Sequence, residues 1–214
     1  MISEYFSLIF PYLLINWVFF SLITCLAQTE SRQNYFKFLV PFISVFVAYI
    51  PVGGLSISEY LLSINPNFSI GSYGFVVARL FPYIFNKNLL SENDVTVFSV
   101  WNLIFSLILY ASYFNLFRYD IYGTGYHFSG GFVILAILTL LFIWINCKLS
   151  LIFLAYIAAF DLGLLVSPNF FDYITDGFLF LVSVIHLGYM AWIRGWQGFH
   201  GASPRRFPLK KQVF

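Results

Sequence analysis

IGSYGFVVARLFPYIFN, residues 70–86, is the stretch on which the architecture turns. It is apolar for most of its length, yet it carries Arg79 and Pro82, so hydropathy alone leaves it either crossing a bilayer or lying at its surface. A crossing helix needs about 20 mostly apolar residues to span the roughly 30 Å hydrocarbon core. Six other windows meet that need more easily: residues 5–29, 38–58, 95–117, 131–147, 149–166 and 177–193. Charge decides the seventh, because Lys and Arg close to span ends stay on the inner side. If 70–86 crosses and the N-terminus is outside, nine basic residues fall inside (Arg32, Lys37, Lys87, Lys148, Arg194, Arg205, Arg206, Lys210, Lys211). Only Arg118 is left outside. If it does not cross, the best arrangement puts three inside and eight outside. The expectation is seven spans, N-terminus out and C-terminus in.

The composition of the 214 residues agrees with a polytopic membrane protein. Hydrophobic residues are 60% of the chain and charged ones 9%, with 28 Phe, against roughly 25% charged in an ordinary soluble domain. Twenty acidic and basic side chains are too few to clothe a soluble surface. A net charge of +2 provides no phosphate-reading stripe, which excludes nucleic acid as the main partner. The bilayer is the first partner expected, in a bacterial inner membrane by the shortness of the loops. The first 27 residues read as a span rather than a cleavable leader, since their positive charges follow the apolar run. Residues 195–214 read as a basic cytoplasmic tail attracted to anionic headgroups, behind a single membrane domain at 1–194.

An internal repeat is visible within that domain. Glu59, Leu62 and Pro66-Asn67-Phe68 align with Asp161, Leu164 and Pro168-Asn169-Phe170 at a constant offset of 102 residues, with Asn65 opposite Ser167. The predicted layout is three–one–three: a first unit at about 5–86, a linking helix at 95–117 and a second unit at about 131–194. An odd linker keeps both units in the same orientation, as parallel repeats require.

Ionisable groups within spans are costly, about 2.5–3.5 kcal/mol on insertion scales, and so mark candidate sites. Here they are Glu59, Arg79, Asp161 and His186. Glu59 is expected to snorkel to the outer interface, Arg79 to serve as an ion-pair partner, and His186 to bond a neighbouring helix. Asn16-Trp17 and Trp101-Asn102 each set an amide beside an indole, a pairing that suits a neutral, planar, hydrogen-bonding solute. The bland alternative is interfacial Trp and helix-bridging Asn. The Pro51-Val52-Gly53-Gly54 break frees backbone that protein or water has to satisfy, as where a cavity is lined. Together these mark Asn16, Trp17, Asn102, Tyr156 and Asp161 as the expected solute-binding residues.

Chemistry has little foothold. His127, His186 and His200 lack metal-ligand spacing, there is no GxSxG or phosphate loop, and no cofactor is implied. The remote catalytic alternative is an intramembrane serine hydrolase using Ser129 with His186. Cys25 and Cys147 lie in separate spans and read as inert thiols.

Two segments resemble a known family. Leu26-Ala27 followed by Asn34-Tyr35-Phe36, and the closing Gly188-Tyr189-Met190-Ala191-Trp192-Ile193-Arg194, are similar to the corresponding parts of nicotinamide riboside transporters of the PnuC type. The chain departs from that family at Phe81-Pro82-Tyr83, where the family closes on Gly-Trp-x-x-Trp. The resemblance implies seven spans in a three–one–three layout and passage of a vitamin-like nucleoside. The sequence reading is therefore a facilitator of a neutral, vitamin- or nucleoside-like solute and not an enzyme. Its rival is a scaffold, immunity protein or complex subunit that packs against a membrane partner or a second copy of itself.

Overall fold

A computed structural model describes residues 2–26, 30–126 and 130–199. His127, Ser129, Ala27, His200 and the tail from 200 onward lie outside the described residues, and with Ser129 among them the Ser129–His186 pairing has no described geometry. Each of the seven windows contains a helix. Helices α1 (Ile2–Ser7) and α2 (Ile9–Leu26) cover the first, α3 (Glu30–Tyr49) the second and α5 (Ile70–Phe85) the third. Then come α6 (Glu92–Tyr113), α7 (Gly130–Ile145), α8 (Cys147–Asp161) and α10 (Gly177–Phe199), with short helices α4 (Ile57–Ile64) and α9 (Phe171–Ile174) between. The start of the expected tail, residues 195–199, continues α10, where Trp192 and Trp196 stack one turn apart.

Among the described residues, three helical stretches are long and apolar enough to cross a membrane: Ser3–Cys25, Glu92–Tyr113 and Gly177–Trp196. Lys37–Tyr49, Ile70–Phe85 and Phe132–Trp144 are apolar but shorter. At 16 residues α5 is about 24 Å long at 1.5 Å per residue, short of the roughly 30 Å core. Several polar side chains inside the apolar helices bond their own backbone, which satisfies them without water. Ser21 donates to the Trp17 carbonyl at 2.8 Å, Thr24 to the Phe20 carbonyl at 2.8 Å, and Thr139 to the Leu135 carbonyl at 2.7 Å.

The break after α3 differs from the cavity lining expected of it. Pro51–Val52 and Leu55–Ser56 form a two-residue antiparallel ladder, β1 and β2, closed by Gly53 and Gly54 at φ +61° and +97°. Positive φ at both turn residues matches a tight hairpin turn, which glycine supplies without steric cost. The freed backbone is paired within an exposed hairpin. Ser56 then caps α4: its hydroxyl accepts from the Glu59 N–H at 3.2 Å, while the Glu59 carboxylate accepts the Ser56 N–H at 2.6 Å. Those bonds hold the exposed Glu59 carboxyl below its ordinary range, and they give the residue a capping task in place of a membrane one.

Two loops lead into the helices that follow them by the same local geometry. Asn65 Oδ1 accepts the Asn67 N–H at 3.1 Å, and Ser167 Oγ accepts the Asn169 N–H at 3.1 Å. Phe68 stacks on Phe10 of α2 with centroids 4.0 Å apart and planes 20° apart; Phe170 stacks on Phe132 of α7 at 4.1 Å and 22°. The acids of the aligned segments do not correspond in this way. Glu59 stands in the first turn of α4, whereas Asp161 is the last residue of α8.

The core is aromatic. Phe10, Phe68, Tyr73 and Phe75 centre one cluster where α2 meets α5, and Phe153, Tyr156, Phe170 and Phe171 centre a second around α8 and α9. Helix α6 lies along α10 through a polar seam. Asn102 Nδ2 donates to Ser183 Oγ at 3.0 Å, Ser106 and Thr175 share a 2.7 Å bond, and Thr96 Oγ1 lies 3.2 Å from His186 Nε2. Such bonds between apolar helices contribute about 0.6–2 kcal/mol each, and they fix α6 against α10 where the cleft described next opens.

Candidate functional site

The loop after α8 reads Ser167-Pro-Asn-Phe-Phe-Asp-Tyr-Ile-Thr-Asp-Gly177, rich in residues whose side chains compete with the backbone for turns and caps. Its two acids stand four residues apart. Asp172 accepts from the Tyr122 hydroxyl at 2.9 Å and from the Ser167 hydroxyl. Asn169 ties the same loop to the 3₁₀ turn Tyr122–Tyr126, donating to the Tyr122 carbonyl at 3.1 Å. That carboxylate, together with burial, raises the Tyr122 phenol above its ordinary range, burial being the larger cause.

Asp176 precedes α10 and caps it, accepting the Leu179 N–H at 2.7 Å. Its other oxygen reaches across to the start of α5, where it accepts the Ser69 N–H and the Ser72 hydroxyl, the latter at 2.7 Å. One carboxylate thus closes two helix N-termini that are 107 residues apart in sequence, each of which presents unsatisfied N–H groups and a positive dipole end. Burial raises the Asp176 carboxyl, and the donors from Leu179, Ser69 and Ser72 pull it back.

Both acids face a cleft of about 790 Å³. One wall comes from α2, α4 and the loop after it (Leu14, Leu61, Asn65, Phe68); a second comes from α6 and its continuation (Ser106, Tyr110, Tyr113). The third is Tyr122 with α9 and the start of α10 (Phe171, Asp172, Asp176, Phe178). Phe178 stands edge-on to Phe10 at 5.3 Å and to Phe68 at 6.1 Å, so the cleft floor continues into the aromatic core. None of the described residues lining it is basic. A volume within roughly 300–1,000 Å³, apolar walls and a few convergent polar groups are the usual features of a small-molecule site.

The residues marked from sequence lie elsewhere. Asn16 is 3% exposed and donates to the Tyr12 carbonyl of its own helix at 3.0 Å. Trp17 packs edge-on against Phe75, and Asn102 belongs to the α6–α10 seam. Tyr156 is 1% exposed beside Gly71, and Asp161 is exposed at the end of α8. None of the five lines the cleft. Arg79 pairs with Glu92 at 3.5 Å and lies 5.3 Å over the Phe75 ring. His186 bonds across to Thr96 of α6. Among the described residues, no group of three His, Cys, Asp or Glu is placed to hold a metal.

Asp172, Asp176 and Tyr122 sit between the apolar windows, where a polar residue carries no insertion cost to flag it. A cap signal was nonetheless present: Ser69 and Asp176 each stand immediately before an apolar helical run. The sequence matches no family model, and no match to it was found among curated proteins or solved structures. The reading of function accordingly stands on the cleft.

Proposed function

We propose that the chain is a small membrane facilitator whose solute enters through this cleft, and that it performs no covalent chemistry. The observation that carries the reading is the cleft's composition by origin: residues of the first three-helix unit, of the linking helix and of the second unit each supply a wall. A path between two units is where a three–one–three transporter holds its solute. The matched Asn65–Asn67 and Ser167–Asn169 turns, with their matched Phe stacks, support treating the units as repeats.

In this reading all seven apolar helices cross, the shorter ones with local bilayer thinning and snorkelling of flanking residues. The nine basic residues stay inside a bacterial inner membrane, and the cleft opens outward. The solute is a compact, partly aromatic molecule of the vitamin or nucleoside class. Nicotinamide riboside heads the panel because of the resemblance noted above.

Gly177 lines the cleft, and a Cβ added there meets nothing within 4 Å. Gly177→Trp therefore sends an indole into the cleft from an open backbone position. In proteoliposomes the native chain should take up at least one member of a nucleoside and vitamin panel, and Gly177→Trp should reduce that uptake about tenfold or more with an unchanged unfolding midpoint. Uptake unaffected by Gly177→Trp would place the path elsewhere. A native chain inert to the whole panel would favour the partner-binding subunit. For that reading the relevant surface is Tyr113, Phe114, Leu116 and Tyr119, exposed at and beyond the end of α6.

A further inference from the structure

We infer that the cleft selects an organic cation, an ammonium or similarly charged group carried on a small apolar body. The inference rests on the cleft being the solute site and adds a charge preference to it. Asp172 and Asp176 are the ionisable carboxylates of the lining, and no described lining residue offsets them with a positive charge. An anionic solute would meet two acids and no base. A cation meets Asp172 at the cleft wall, where the Tyr122 and Ser167 hydroxyls already orient both carboxylate oxygens.

The rest of the lining suits the same charge. Tyr110, Tyr113, Phe114 and Tyr122 line the same cleft, with Tyr122 bonded to Asp172 and the Tyr113 and Tyr122 rings edge to face at 6.5 Å. Aromatic faces attract a cation within about 6 Å of the ring centroid, and more strongly once water is excluded. A wall of tyrosines around a fixed carboxylate is therefore selective for positive charge, whereas an apolar cleft without the acids would bind a neutral molecule of the same shape equally well. The two carboxylates differ in task. Asp176 spends its oxygens on two helix N-termini, which leaves Asp172 as the anchor.

Choline and its uncharged carbon isostere 3,3-dimethylbutan-1-ol separate charge from shape. With the purified full chain in lipid nanodiscs, calorimetry should show choline binding about tenfold or more tightly than the isostere. Asp172→Asn should bring the two ligands to similar affinity by weakening choline alone. Tyr113→Leu, which removes an exposed ring and leaves the Asp172 bonds intact, should weaken choline several-fold and keeps the test open if Asp172→Asn does not fold. Equal affinity for both ligands in the native chain overturns the inference, as does a preference for choline that survives both substitutions. If neither ligand binds while a neutral panel solute is taken up in a Gly177→Trp-sensitive way, the cation preference is wrong and the facilitator stands. If neither ligand binds and nothing is taken up, both fall.

Discussion

Asp176→Ala unfolds at a midpoint about 6–12 °C below the native chain. The substitution removes one carboxylate and strands three donors: the Ser69 N–H, the Leu179 N–H and the Ser72 hydroxyl. A buried donor left unsatisfied costs about 1–3 kcal/mol. Water from the adjoining cleft replaces some of these bonds, which brings the total to about 3 kcal/mol. At this chain length each kcal/mol moves the midpoint by about 2–4 °C. Asp176→Asn keeps the shape and one acceptor oxygen but turns an amide NH2 toward a donor, so its loss should fall between native and Asp176→Ala. Tryptophan fluorescence during thermal unfolding in detergent reads all three. A midpoint unchanged by Asp176→Ala would mean that α5 and α10 are not joined there.

Gly71→Val should prevent accumulation of folded protein. A Cβ on Gly71 would stand 2.6 Å from the Ile174 carbonyl oxygen, 2.6 Å from Leu179 Cδ2 and 3.0 Å from the Tyr156 hydroxyl. The Leu179 methyl can turn away, but the carbonyl belongs to the backbone of α9 and cannot. Overpacking of a tight core costs about 1–3 kcal/mol and sometimes more, and here it forces apart the first turn of α5 and the loop that carries Asp176. Gly74, one turn further along the same helix, meets nothing within 4 Å. Gly74→Ala should fold normally and gain as much as about 1 kcal/mol of helix propensity. The yield of monodisperse protein separates the pair, and equal yields would contradict the close approach of α5 to α9.

Much of the helical plan was legible in the sequence because long apolar runs with few charges favour helices, and each of the seven windows contains one. The Pro-Asn-Phe segments were legible as well, since a side-chain acceptor two residues ahead of an N–H is a local device that needs no tertiary partner. Glu59 was harder to place: sequence shows an acid after an apolar run, and only the hairpin at Gly53-Gly54 reveals that Ser56 and Glu59 start a new helix. The cleft was not legible at all. Its walls come from segments distant in sequence, and Asp172 and Asp176 lie outside any span, where an acid excites no suspicion. The Asn-Trp pairs attracted attention because they are polar within apolar runs, but helix packing accounts for where Trp17 and Asn102 sit.

The account depends on the cleft and the basic tail lying on opposite faces of the membrane. Tyr119 is exposed in the loop between α6 and the Tyr122–Tyr126 turn that carries cleft-lining Tyr122, and Ser203 lies among the basic residues of the tail. In a background with Cys25 and Cys147 replaced by Ser, Tyr119→Cys should react with an impermeant maleimide in intact cells. Ser203→Cys should react only after the membrane is permeabilised. Labelling of both from the same side would mean that an even number of helices separates them, and the seven-span facilitator would be wrong.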